Sequence, residues 1–328
     1  MRADDGSDQK RGEDTVMAAT ISRRTCLAAG LAVSCTGTVH SEVPRESITL
    51  GFGTYGMKTL RTEEAVKAIA EIGFDALEIT VNQGWDADSA TLSKMRRVEL
   101  AKRIDSSGLR LTSLMEHLPP TTADRQRVAL ERLKLAAGVA HDLSPSSPPL
   151  VQTVLGGGEF ESIKHALVDR LGRWVEVADA TETTIAIKPH RGGGMSKPSQ
   201  AVWLMEQLGQ PARLRMVYDY SHYAFRDLTI ESTVQSALSA TAHIAVKDAV
   251  EESGRVVFKL PGEAGTVDYG KILRLFYAGG YRGDVSCEVS GQVWNQKNYD
   301  PIVAAKRCYK NMAAAFESAG LVRPVPNG

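Results

Sequence analysis

The sequence predicts a single-domain α/β fold, a (β/α)8 TIM barrel, and three observations predict it. From Ile48 onward, short apolar runs alternate with longer amphipathic stretches. Eight such strand–helix units fill about 270 residues, the count and length that a barrel of this kind requires. Six of the eight apolar runs carry an ionisable residue within or just past their C-terminal part, as strands do when they deliver side chains to one open face. A doubly wound open sheet is the alternative fold, and it would normally need fewer units or a second domain.

The strand-like runs are Ile48–Thr54, Ala76–Val81, Leu109–Met115, Leu150–Leu155, Thr184–Lys188, Leu214–Tyr218, Ala242–Lys247 and Asp284–Glu288. Helical stretches are expected at 62–72, 90–107, 123–140, 160–180, 198–209, 230–240, 267–279 and 301–319. In the seventh, Ile272, Leu275, Phe276 and Gly279 recur at the helical period that makes one buried face. Gly73, Gly108 and Gly280 stand just before the next strand, where a left-handed residue closes a helix. Pro198 suits the first turn of the fifth helix. The barrel is expected to span 47–320, with a tail at 321–328.

The 328 residues carry 39 Lys plus Arg and 39 Asp plus Glu, a formal net charge of zero. Phosphate binding usually shows as a basic excess, so nucleic acid is not the expected partner. Residues 1–41 read as a leader, cleaved or disordered, rather than as part of the fold. Ser22-Arg23-Arg24-Thr25-Cys26-Leu27 and the small apolar run after it resemble a twin-arginine export signal, which implies a periplasmic protein. That run is too short for a stable membrane span. Met17 is an alternative start, and Cys35 follows Ala-Val-Ser, a poor match to a lipid-anchoring site. Of the four cysteines, only Cys287 and Cys308 fall in the barrel, and spacing does not say whether they pair.

In a barrel the functional candidates are the polar residues at strand C-termini. They are Glu78, then Glu116 and His117, Lys188 and His190, Asp219 and His222, Lys247 and Asp248, and Glu288. The glycine triplets Gly156–Gly158 and Gly192–Gly194 either bare amides to a phosphate or sugar oxygen or simply turn the chain. Trp85, Trp294 and Tyr223 stand just past strand ends, where an aromatic ring can stack on a sugar, whereas Trp203 reads as packing.

Several segments together resemble the sugar isomerase/epimerase superfamily with the xylose isomerase-like barrel. They are Ala76–Ile79, Tyr218–His222, His243–Asp248, Leu260–Tyr269 and Cys287-Glu288. The resemblance implies one divalent metal held by Glu, Asp, His and Glu after strands five to eight, with the first and last carboxylates moving the substrate proton. Asp219 and Glu288 match. Lys188 stands at the strand-five position and Ala245 at the strand-seven position, and neither can ligate a metal. A metal (Mn, Zn, Co or Mg) would then need Asp219, Glu288, His190 and His222. In the competing view Lys188, helped by Lys247, supplies the positive charge without a metal.

The function implied is an exported carbohydrate isomerase or epimerase acting on a small sugar. Glu288 would take the proton α to a carbonyl, His190 or His222 would serve as acid, and Lys188 or a metal would hold the enediolate. Glu78, His117, Arg191, Glu263 and Trp294 are the expected substrate contacts. A lyase acting on a 3-keto-glycoside, and a barrel that binds a sugar or partner without chemistry, are the alternatives. A metal-dependent phosphodiesterase of the apurinic endonuclease type is opposed by Lys188, Ala245 and the neutral charge. Substrate identity and oligomeric state, homo-oligomers included, are left open.

Overall fold

A computed structural model describes residues 47–118 and 122–324. The export motif and Cys35 lie outside the described residues. Eight parallel strands close into a barrel: β1 (Thr49–Gly53), β2 (Ala76–Thr80), β3 (Arg110–Met115), β4 (Leu150–Thr153), β5 (Ile185–Ile187), β6 (Leu214–Tyr218), β7 (Thr241–Val246) and β10 (Asp284–Cys287). Their order around the barrel is β1-β10-β7-β6-β5-β4-β3-β2. Between β7 and β10 the chain adds an antiparallel hairpin, β8 (Asp248–Glu252) and β9 (Arg255–Lys259), which the sequence reading did not contain.

The expected helices form: α1 (Thr62–Ile72), α2 (Lys94–Ser106), α3 (Ala123–Leu143), α4 (Phe160–Ala180), α5 (Pro198–Gln207), α6 (Ile230–Ala237), α7 (Tyr269–Ala278) and α9 (Pro301–Ser318). One more turn, α8 (Gly291–Trp294), follows β10. Local chemistry sets the boundaries. Asp300 accepts from the Ile302 and Val303 amides at the start of α9, with Pro301 in the first turn. Gly73 ends α1 at φ 101°, a backbone angle that costs a side-chain-bearing residue about 1–2 kcal/mol.

Strand residues alternate between two interiors. Leu50, Phe52, Leu77, Ile79, Leu114, Ile187, Met216, Ile244 and Val285 belong to the main apolar core, which continues into helix residues such as Ile69, Trp174, Phe276 and Met312. Ala186, Val217 and Ala245 form a separate small cluster with Leu150. Apolar burial on both faces of the strands is why these runs read as nearly continuous hydrophobic segments. No described helix is long and apolar enough to cross a membrane.

Candidate active site

The strands β5, β6, β7 and β10 are neighbours in the barrel, and each is followed at once by a charged residue: Lys188, Asp219, Lys247 and Glu288. Parallel pairing sets these four ends side by side, so four charges meet on one arc of the mouth. Lys188 Nζ is ion-paired with Glu288 Oε2, and Lys247 Nζ bridges Asp219 Oδ2 and Glu288 Oε1, the latter at 2.8 Å. Asp219 Oδ1 accepts from the Ser221 amide at 3.2 Å and from its hydroxyl at 2.6 Å. Each carboxylate oxygen of the pair therefore has a donor.

All four side chains are nearly sealed from solvent, with Asp219 at 0% and Glu288 at 7% exposure. Burial disfavours charge on Glu288, but Lys188 and Lys247 outweigh it and hold its carboxyl well below the usual range. Burial likewise opposes charge on Lys247, and Asp219 and Glu288 outweigh it, so the ammonium is held above its ordinary range. The cluster is a neutral set of two cations and two anions.

Two imidazoles flank it. His222 is fully buried in the turn after β6, its Nε2 3.4 Å from Asp219 Oδ2 and its Nδ1 accepting the Arg191 amide at 3.2 Å. The His190 ring lies 4.0 Å from it, half-buried and nearer the opening. Burial, then Lys247 and Lys188, push His190 down to about 4, and burial followed by Lys247 lowers His222 as well. Both are neutral at physiological pH. The unfolded chain takes up protons on these histidines below about pH 6.5, whereas folded His190 refuses its proton until about pH 4 and buried His222 is shifted in the same direction, so stability must fall as pH falls through that window. Melting temperatures taken from about pH 7 to pH 4.5 should decline, and a flat profile would contradict this placement of the histidines.

Opposite them stands an aromatic wall. Tyr55, just past β1, stacks on Trp85 at 5.4 Å and 12° and meets Trp294 and His117 edge-on at 5.6 and 5.5 Å. Lys58 lies 4.1 Å above the Trp85 ring. His117 is open to solvent at the mouth yet ringed by protein, and burial followed by the Lys188 charge lowers its pKa. Burial and the Glu288 charge raise that of Tyr55. Wall and charge cluster thus face one another across the mouth.

The remaining candidates are engaged elsewhere. Glu78 lies inside β2, 1% exposed, bonded to Ser113 and Gln152 and 3.3 Å from His243 within the barrel. Arg191 bonds the Ala224 carbonyl through its guanidinium, while its amide holds His222. Glu263 pairs with Arg307 at 2.6 Å and lines a separate cleft of about 540 Å³ beside α9. Glu116 is clamped by Arg132 at 2.8 Å, and Asp88 joins the same knot. Asp248 accepts the Ala264 and Gly265 amides. Tyr223, expected to stack on a sugar, is instead fully buried against Tyr218. The two glycine triplets pack on each other: Gly194 N–H donates to Gly156 O at 2.7 Å, and a Cβ on Gly194 would lie 2.5 Å from Ile163 Cδ1.

Residues the sequence reading missed are Tyr55, Lys58 and Phe258. Phe258, on β9, packs 5.2 Å from the His222 ring and 5.2 Å from Lys247 Nζ. An aromatic residue two positions past β1 was a signal for Tyr55, and Ser253-Gly254 between Ala249-Val250 and Val256-Val257-Phe258 was one for the hairpin.

The donor set does not suit a divalent metal. Asp219 and Glu288 spend their oxygens on ammonium and hydroxyl donors, and His222 spends Nδ1 on an amide. Ala245 packs with Ala186 and Val217 and offers no donor. Among the described residues no group of three or more His, Cys, Asp or Glu side chains is placed to hold a metal ion.

A family model described as xylose isomerase-like TIM barrel matches residues 66–312. No curated protein matches the chain. An L-ribulose 3-epimerase structure is similar at 17% identity, covering 83% of this chain and 96% of that one, with a TM-score of 0.64. A 3-keto-D-glucoside 4-epimerase from E. coli is similar at 14% identity, covering 82% and 99%, with a TM-score of 0.63. A xylose isomerase-like TIM barrel protein from Mycobacterium smegmatis, in complex with magnesium, is similar at 16% identity, covering 83% and 97%, with a TM-score of 0.63. The chain spans only 43% of a similar fusion of such a barrel with a 4-hydroxyphenylpyruvate dioxygenase, at 17% identity, 83% coverage of this chain and a TM-score of 0.67. At these identities the likeness is one of fold.

Proposed function

The chain belongs to the xylose isomerase-like TIM barrel family, and on that premise we propose that it is a carbohydrate isomerase or epimerase that removes the proton α to a sugar carbonyl. The observation that carries this reading is the Glu288 carboxylate at the barrel mouth, in contact with two ammonium groups. Glu288 takes the proton from carbon, and the C–H electron pair becomes the C=C bond of an enediolate. The negative charge passes to the substrate oxygen. Because that charge moves only from the carboxylate to an oxygen beside it, Lys188 and Lys247 keep an anionic partner throughout, which offsets the low basicity they impose on Glu288.

Return of the proton to the neighbouring carbon isomerises the sugar, with a hydroxyl proton passing between the two substrate oxygens through His190; epimerisation requires the enediolate to turn its other face to Glu288 before the proton returns to the same carbon. His190, neutral and nearest the opening, is the hydrogen-bonding partner for a substrate hydroxyl; His222, sealed behind it, orients His190 rather than touching the sugar. His117 and Trp294 contact the sugar from the opposite wall. We place the protein outside the cytoplasm on the strength of Ser22–Leu27.

A second reading shares the first step. In a 3-keto-glycoside the same carbanion can expel the leaving sugar, and the three-ring wall of Tyr55, Trp85 and Trp294 favours a ligand with a second ring. The test is solvent exchange. Protein lacking the leader, incubated in D2O with ketohexoses, aldoses and 3-keto-glucosides, should erase the α-proton NMR signal of at least one of them. No exchange across that panel would sink both readings.

A further inference from the structure

The family's fold and the resemblance of its motifs carry the expectation of a divalent metal, and the residues present do not meet it. We infer that the ammonium groups of Lys188 and Lys247 hold the place of that cation, making this a barrel in which proteinaceous amines do the electrostatic work of a metal. The inference rests on the proton-transfer reading above for its chemistry, though its binding part stands apart from it.

Three observations converge. First, the amines sit on the carboxylates themselves. Lys247 bridges Asp219 and Glu288, as a shared cation would, and Lys188 takes the remaining oxygen of Glu288. Second, the lysines are built in rather than swung in from outside. Lys188 follows β5 directly and Lys247 follows β7, with 3% and 2% exposure, and the Phe258 ring faces Lys247 Nζ. Third, the positions where relatives of this type would supply further ligands are filled by Lys188 and by Ala245, and the latter is packed in an apolar cluster. A dication placed among these groups would meet two like charges and no vacant oxygen.

The amines can do what the reaction needs. Each ammonium has three N–H donors and the pair uses three contacts on the two carboxylates. When Glu288 takes up the substrate proton and becomes neutral, Lys188 Nζ turns its donor to the enediolate oxygen, and Lys247 remains anchored by Asp219. No oxidant, metal hydroxide or other co-reactant enters. The proton leaves carbon, rests on Glu288 and returns to carbon.

The test uses the protein without its leader and has two readouts. Mn²⁺ titration followed by electron paramagnetic resonance is expected to show no tight site. α-Proton exchange is expected to be unchanged by EDTA and not accelerated by added Mn²⁺ or Mg²⁺. Lys188→Met is expected to slow exchange about 10²–10³-fold, the loss typical of removing one preorganised oxyanion donor, without rescue by metal. Because Lys188→Met removes a buried charge, circular dichroism must show it folded; should it fail to fold, the chelation and titration arms decide alone. Stoichiometric tight Mn²⁺ binding by the unmodified chain, or exchange lost to EDTA and restored by Mn²⁺, overturns the inference. Absence of exchange under every condition would defeat the carbohydrate reading instead, while the titration would still judge this one.

Discussion

Glu288→Gln is expected to slow α-proton exchange by about 10²–10⁴-fold while leaving the barrel folded. The amide is nearly the shape of the carboxylate, so the packing around β10 is kept. What is lost is the only group among the cluster that combines negative charge, contact with both ammoniums and a place at the opening. Asp219 does not replace it. Its Oδ1 is taken by Ser221, its Oδ2 by Lys247, and it has no exposure at all. Exchange retained in the variant, measured in the same NMR assay, would remove Glu288 as the base and shift the role to His190, an unprotonated group beside the charge cluster.

Lys247→Met is expected to give the largest loss of stability of any single substitution in the site, about 3–5 kcal/mol, as when one partner of a buried ion pair is removed. Methionine keeps most of the volume and leaves Asp219 and Glu288, both buried, with one fewer cation between them. Two carboxylates left so close cannot both stay ionised at low cost. The check is a urea midpoint that falls at unchanged slope, since a changed slope would mean a different denatured or native state. Loss of an exposed pair such as Arg127 with Glu131 should move the same midpoint little. A Lys247→Met midpoint equal to that of the parent would mean that the cluster is wetter and weaker than its burial indicates.

Much of the barrel was legible because parallel strands buried on both faces leave a strong apolar trace. Leu214–Tyr218 and the helices at 62–72 and 160–180 are found at the boundaries expected from the residues. The charge cluster was legible for a related reason: Lys188, Asp219, Lys247 and Glu288 each end an apolar run, and the topology forces such ends together. Which of them would pair was not legible, since strand order around a barrel decides that and a one-dimensional pattern does not record it. The hairpin after β7 escaped because its outer residues, Glu251, Glu252 and Arg255, read as a solvated loop, and its packing rests on few side chains, Ala249 and Phe258 with Val256 partly buried beside them. Glu78 and Glu263 show the limit of the strand-end rule. The pleat turns Glu78 inward below the mouth, and Arg307, forty-four residues on, draws Glu263 to a different cleft.

Cys287 precedes Glu288 and, with Cys308 on α9, is buried and unbridged. Burial, together with the neighbouring Cys287 thiol, lifts the Cys308 thiol far above its ordinary range. A thiol that is both inaccessible and protonated cannot attack a reagent from the closed barrel. Its alkylation must wait for β10 and α9 to part, so the rate at which these two sulfurs react is a clock for the breathing of the wall that holds the base.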